Sequence, residues 1–382
     1  MNTHLINQIT AAFTKTFNVI PMLISSPGRI NIIGEHTDYN EGFVFPAAID
    51  KGIVAAMAKS ESSTCTAYAL DIDEFHEFSL NNIQAIPNGN WRNYVLGVVA
   101  EIQKKGITLE PFNVVFGGDI PNGAGLSSSA ALENSIVFGL NHLFNLNLTK
   151  SEMILISQQA EHNYVGVRCG IMDQYASMFG KENNALLLDC RSQEAELFKI
   201  DFKGYELVLI NTNISHNLAE AEYNDRRKVC EKVAYLLNIK ALRDATEETL
   251  LEIKSQITES DYQKALYIIQ ENERVLRAGE MITKNDIIGL GNLLFEAHLG
   301  AKNQFKISCR ELDFLVEKAQ ENPNVIGSRM MGGGFGGCTI NIVKKEAVKE
   351  FTDNISEDYY NTFGIQNAVY FIKLSQGTHL IK

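Results

Sequence analysis

The chain has 382 residues, 45% of them hydrophobic and 21% charged, proportions that exclude a disordered or fibrous protein. That length suits about two domains and buries enough surface to need neither disulfides nor a structural metal. The net charge of −12 opposes nonspecific binding to nucleic acid or anionic lipid, so neither is an expected partner.

The opening segment, MNTHLINQITAAFTKTF, places Leu5, Ile9, Phe13 and Phe17 four apart, which predicts an amphipathic helix rather than a secretion signal. PGRINIIGEHTDYNEG (27–42) then crowds Arg29, Glu35, His36, Asp38 and Tyr39 after an apolar INII strand. Such a run of donors and acceptors suits a surface loop or the recognition of many hydroxyls. Segments 43–49, 52–58 and 63–70 are rich in β-branched residues between polar turns and read as strands. WRNYVLGVVAEIQKKG (91–106) has helical spacing and a glycine stop, and 112–116 is a further short strand.

PNGAGLSSSAALE (121–133) follows. Its glycines loosen the backbone, and its small residues run into a helix extending to about Phe144. A helix N-terminus with free N–H groups makes an anion site, and Ser127, Ser128 and Ser129 add hydroxyls, one of them a candidate Mg²⁺ ligand. No Lys-Ser/Thr pair of the Walker type is present. The alternative is a Gly/Ser turn that only caps a buried helix. Thr149 and Glu152 form a capping box that opens a helix through about Tyr164. In CGIMDQYAS (169–177) Asp173 is the lone carboxylate, and a lone Asp in such a setting is more often a helix cap or turn residue than a catalyst.

Strands are predicted at 185–189 and 206–210, and helices at 220–237, 261–278 and 308–321. MGGGFGGC (331–338) holds five glycines, which points to a backbone lying close to a ligand; a last strand covers 368–373. A change of pattern near 200 divides a mixed half (1–200) from a helix-rich half (201–382), with a cleft expected between them. The six cysteines form no C-x-x-C pair and no zinc-spaced cluster. Reduced thiols in a cytoplasmic protein are the expectation. No apolar stretch reaches the roughly 18–20 residues of a membrane span.

Taken together, these blocks resemble the three signature motifs of the GHMP small-molecule kinases, in that family's order and spacing. PGRINIIGEHTDYN is similar to the galactokinase signature within it, and the likeness extends through WRNYVLGV (91–98), AEHNYVGVRCGIMDQ (160–174) and AEYNDRR (221–227). The resemblance implies an α+β fold of two domains. The first is like ribosomal protein S5 domain 2, with a mixed sheet, and the second is a GHMP kinase domain with a helix-covered antiparallel sheet.

It also implies ATP-dependent phosphorylation of the anomeric hydroxyl of galactose, with Mg²⁺, by a chain expected to be a monomer. By the same resemblance Arg29 stands beside the reacting hydroxyl and the γ-phosphate, and Asp173 matches the proposed base. Glu35, His36, Thr37, Asp38, Gly170 and Tyr223 match sugar-binding positions. Gly123, Ala124, Gly125, Leu126, Ser127, Ser128 and Ser129 match the ATP phosphate loop, Ser129 and Glu161 match the Mg²⁺ ligands, and Trp91 falls near the nucleotide. Met331 departs from the pattern, standing where a hydroxyl-bearing residue often precedes the glycines. A kinase of N-acetylgalactosamine and a non-catalytic galactose sensor share much of this signature. The intact glycine-serine run, with Arg29 and Asp173, favours an enzyme.

Overall fold

The computed structural model describes residues 2–121, 123–202, 204–215 and 219–382. The first half opens with α1 (Thr3–Phe17), which buries Leu5, Ile9 and Phe13 as its spacing predicts. There follow β1 (Met22–Asn31), β2 (Phe43–Val44), β3 (Pro46–Lys59), β4 (Cys65–Ala69) and β5 (Glu74–Phe78). After them come α2 (Trp91–Lys104), β6 (Phe112–Gly118), α3 (Ser128–Phe144), α4 (Lys150–Ala160), α5 (Met172–Phe179), β7 (Asn184–Asp189) and β8 (Glu194–Lys199). The capping box is present: Thr149 Oγ1 accepts from Glu152 N, and Glu152 accepts from Thr149 N.

The second half begins with β9 (Tyr205–Ser215) and continues with α6 (Ala219–Leu236), α7 (Glu247–Glu252), α8 (Glu259–Thr283), α9 (Ile287–Gly300) and α10 (Arg310–Glu321). It closes with β10 (Val325–Met330), β11 (Gly336–Lys344), α11 (Val348–Phe363), β12 (Ala368–Phe371) and β13 (His379–Leu380). The first sheet has the order β13-β1-β3-β6-β4-β5. It is mixed, because β4 pairs with β6 in parallel while the other pairings are antiparallel. The sheet β10-β11-β9-β12 is antiparallel throughout. This is the α+β arrangement expected.

Two differences from the sequence reading matter for the site. The segments 43–49 and 52–58 are not separate strands; 46–59 form one strand, because its pairing with β1 continues on both sides of the polar Asp50–Lys51 step. The strand expected at INII instead ends at Asn31. Ile32 and Ile33 stay buried but enter a loop, whose backbone exchanges hydrogen bonds with Phe45 at 3.0 Å.

One core lies between the first sheet and α2 to α4. A second joins Ile30, Ile32 and Phe45 from the first half to Leu209, Leu294 and Ile340 from the second, so the two halves share apolar packing beneath the motifs. Among the described residues no helix is long and apolar enough to cross a membrane, and all six cysteines are unpaired.

Candidate active site

The site starts from an irregularity in β1. Its register with β3 shifts between Pro27 and Arg29, and a bulge of this kind re-aims the side chain that follows. Gly28 makes room for it: a β-carbon there would lie 2.5 Å from the Leu126 carbonyl of the glycine-serine loop. Arg29 N donates to that same carbonyl at 3.0 Å. The Arg29 side chain therefore emerges beside the loop, donating from Nη1 to Gly125 O at 2.5 Å.

Arg29 also grips Asp173 from two nitrogens, Nε to Oδ1 at 2.8 Å and Nη2 to Oδ2 at 2.9 Å. Ser127 Oγ donates to Asp173 Oδ2 at 2.5 Å. Asp173 lies in the first turn of α5, where the helix dipole favours an anion. Burial opposes the charge of Arg29, but Asp173, Glu35 and Asp38 more than offset this and hold its pKa above the ordinary value.

The glycine-serine loop turns through left-handed Gly123, Gly125 and Ser127 into α3. Among the described residues no side chain caps that helix, which leaves its first N–H groups to an anion. Ala124 and Leu126 are buried beneath the loop, while Gly123, Gly125 and Ser128 face solvent. Asn122, within the same run, lies outside the described residues. The third motif faces this loop backbone to backbone: a β-carbon on Gly332 would sit 3.5 Å from Gly125 O.

Beside Arg29 and Asp173 is a cavity of about 130 Å³ that Glu35, His36, Asp38, Glu161 and Tyr223 also line. The structure thus brings together predicted residues from positions 29 to 223. Gly170 stands behind Asp38, so close that a β-carbon would lie 2.0 Å from Asp38 Oδ2. Asp38 accepts from Tyr39 N at 2.9 Å. Its carboxyl is pushed up to about 7, chiefly by burial and then by the Asp173 carboxylate.

Thr37 is not part of the cavity wall. Its buried hydroxyl bonds the Gly34 and Phe43 carbonyls at 2.9 and 2.6 Å and holds the loop in shape. His36 touches the cavity, yet both ring nitrogens already have partners: Tyr39 Oη at 2.8 Å and Gly333 O at 3.1 Å. Burial lowers its pKa to about 4, so the ring is neutral, with Nε2–H donating to Gly333 and Nδ1 accepting from Tyr39. Trp91 stands away from the cavity, its indole donating to Glu74 at 2.9 Å.

Sequence reasoning missed Arg329. Fully buried, it donates to Ile32 O at 2.7 Å, Met330 O at 2.6 Å, Asn31 O, and Glu35 Oε1 at 3.0 Å. Gly332 N donates to the same Glu35 oxygen at 2.8 Å. Glu35 is thereby fixed through Oε1 and left with Oε2. The available signal was a lone arginine in the otherwise uncharged run VIGSRMM.

Glu161 begins a π-turn, Glu161–Val165, that follows α4, a distortion common at functional sites. Its carboxyl is pushed up to about 7 by burial first and by Asp173 next, while bonds from Cys169, Ser129 and Gln174 oppose the shift. Burial also drives Glu133 well up, and Glu161 adds to it. A buried carboxyl bonded by a serine hydroxyl suits a hard cation that takes few protein oxygens. Among the described residues no three His, Cys, Asp or Glu are arranged to hold a metal by themselves. The Ser129 hydroxyl and the Glu161 carboxyl, bonded to each other, offer the hard oxygens that a partly hydrated Mg²⁺ would accept.

The chain matches the model of the GHMP kinases N-terminal domain over residues 93–181, the galactokinase galactose-binding signature over 11–59, and the GHMP kinases C-terminal domain over 279–361. A galactokinase of Clostridium beijerinckii is 39% identical across 98% of this chain and 99% of its own length. The chain belongs to the galactokinase family. Another galactokinase, from Clostridium acetobutylicum, is 40% identical over 93% of this chain and 94% of its own. Among solved structures, the Lactococcus lactis galactokinase complexed with galactose aligns with a TM-score of 0.94 at 32% identity, covering 98% of this chain and 100% of that one. The mevalonate kinase of Methanococcus jannaschii, at 18% identity and a TM-score of 0.66 over 93% of this chain and 99% of that one, shares the fold alone.

Proposed function

We propose that the chain transfers the γ-phosphoryl group of ATP to the anomeric hydroxyl of galactose, giving galactose 1-phosphate and ADP. The observation that carries this reading is the placement of the Arg29–Asp173 pair. It stands where the polar cavity meets the glycine-serine loop, bonded on one side to Gly125 and Ser127 and open on the other to Glu35 and Asp38. Full-length likeness to proteins named galactokinase, one of them solved with galactose, supports the choice of sugar.

Phosphoryl transfer passes through a loose transition state, so positioning and electrostatics supply most of the acceleration. The free N–H groups at the start of α3 receive the phosphates. Arg29 reaches the developing charge from beside Gly125 while holding Asp173 in plane. A carboxylate offers about four acceptor sites. Arg29 and Ser127 occupy three on Asp173, which leaves one on Oδ1 to orient the sugar hydroxyl and take its proton as the new bond forms.

Glu35 Oε2, Asp38 and the Tyr223 hydroxyl pair the remaining sugar hydroxyls, and His36 braces Tyr39 and the Gly333 carbonyl around them. Ser129 and Glu161 would hold Mg²⁺, which when bound neutralises phosphate charge. The unpaired cysteines support a reducing, cytoplasmic setting. The deciding experiment is ADP release, coupled to NADH oxidation, across a panel of sugars. Galactose should be the preferred acceptor, and absence of sugar-dependent ADP release would overturn the assignment in favour of a binding protein.

A further inference from the structure

The Gln174 side chain lies wholly buried between two carboxylates. Its amide nitrogen is 3.0 Å from Glu161 Oε2 and 3.3 Å from Glu133 Oε2. A primary amide has two N–H donors, and here each faces a different carboxylate. Glu133 is fully buried on α3, one turn beyond Ser129, and does not reach the cavity. Its other oxygen has no hydrogen-bond partner among the described residues.

A carboxyl group in such a place is costly, and a leucine of similar volume would fill it without desolvation. What a leucine cannot supply is the acceptor for the second Gln174 N–H. Further buried bonds fix the backbone beneath: Asn134 Nδ2 donates to Gln174 O at 2.9 Å, and Ser157 Oγ donates to Asn134 Oδ1 at 2.9 Å. These tie α3, α4 and α5 together directly behind Glu161.

We infer that Glu133 and Gln174 are positioning residues for Glu161, with Glu133 anchoring the Gln174 amide so that its other N–H sets the Glu161 carboxylate toward Ser129 and the bound cation. The inference rests on the reading of Glu161 as a Mg²⁺ ligand. Among the described residues that line the cavity, neither is found. Outer partners of this kind typically change metal affinity by about 10–100-fold when removed.

The test titrates Mn²⁺ into protein carrying galactose and a non-hydrolysable ATP analogue, with the bound-metal spectrum read by electron paramagnetic resonance. The Mg²⁺ dependence of turnover is measured beside it, and galactose affinity by calorimetry serves as control. Gln174→Met and Glu133→Leu should each raise half-saturating metal by about tenfold or more, with galactose affinity unmoved. The double variant should add little, because the two residues act through one amide. Glu133→Gln, which keeps an acceptor oxygen, should recover most of the loss.

Glu161→Ala separates the two levels of argument. If it shifts the metal curve and Gln174→Met does not, the positioning role is overturned. If Glu161→Ala itself leaves the curve in place, the ligand assignment beneath fails instead. Should Glu133→Leu not fold, Gln174→Met, which conserves volume, decides alone.

Discussion

Arg29 holds Asp173 through both carboxylate oxygens, at 2.8 and 2.9 Å, and this fork fixes the plane of the carboxylate as well as its position. Asp173→Asn keeps the shape but presents an N–H₂ group where Arg29 and Ser127 already donate, and it cannot take a proton from the sugar. We expect kcat to fall about 10²–10⁴-fold, with galactose affinity changed far less. Steady-state kinetics and calorimetric binding check this together. A near-parental kcat would reduce Asp173 to a helix-terminus residue.

A second prediction concerns Arg329, which reaches from β10 into the first motif. Lysine retains the charge but not the planar fork that serves Asn31, Ile32 and Glu35 at once. Arg329→Lys should raise the KM for galactose more than the KM for ATP, because Glu35 loses its orienting partner. The denaturant midpoint should fall as well, since buried carbonyls that the ammonium cannot reach are left unpaired at about 1–3 kcal/mol each. A folded variant with the parental galactose KM would make Arg329 a purely structural strut.

This pair also marks the limit of sequence reading. Local patterns carried α1, the Thr149–Glu152 cap and most strands, because periodicity and capping are written in neighbouring residues. The resemblance supplied Arg29, Asp173 and the motif order. It did not reveal that Asp173 opens a helix, nor that Thr37 faces away from the cavity into its own loop. Gln174 was illegible because its meaning is a contact, and the lone arginine of VIGSRMM did not announce its partner, a carboxylate 294 positions away. The π-turn at Glu161 hid for a related reason: it continues a helix without altering the apolar spacing that announces one.

The pH dependence of the ligand-free protein tests the cavity electrostatics. Asp38 has its pKa raised from 3.8 to about 7, mainly by burial. A raised folded value gives stability that is complete below the unfolded pKa and is lost as pH rises through about 7. His36, lowered from 6.5 to about 4, mainly by burial, works in reverse: its contribution is complete above 6.5 and is lost as pH falls through about 4. Asp38→Asn cannot ionise. Its Tm relative to the parent should therefore climb between about pH 4.5 and about pH 7.5, and galactose should narrow the gap by donating to the ionised aspartate of the parent. Scanning fluorimetry across that range measures it, and a constant difference in Tm would refute the assignment.

Gly170→Ala offers a steric test of the same carboxylate. The added carbon would lie 2.0 Å from Asp38 Oδ2, far inside van der Waals contact, so Asp38 must swing away. Galactose affinity should drop by about tenfold or more, while ATP binding, on the far side of Arg29, holds. Parental galactose affinity would show that Asp38 does not need its present position.

The last prediction is the choice between epimers. The cavity of about 130 Å³ is walled by groups that cannot shift freely: Glu35 is held by Arg329 and Gly332, Asp173 by Arg29 and Ser127, and Asp38 by Tyr39 N and the Gly170 backbone. A fixed acceptor rewards one hydroxyl position and penalises its absence twice, through the lost bond and the buried oxygen left unpaired. Galactose and glucose differ at C4 alone. Such a mismatch discriminates by up to about 10⁴-fold where a hydrophobic pocket would give far less. Glucose should therefore turn over orders of magnitude more slowly than galactose. 2-Deoxygalactose reports the value of the C2 contact, and N-acetylgalactosamine reports the room beside it. Measuring kcat/KM for these four sugars separates hydroxyl pairing from shape. Comparable values for galactose and glucose would overturn the specificity argument while leaving phosphoryl transfer to a hexose intact.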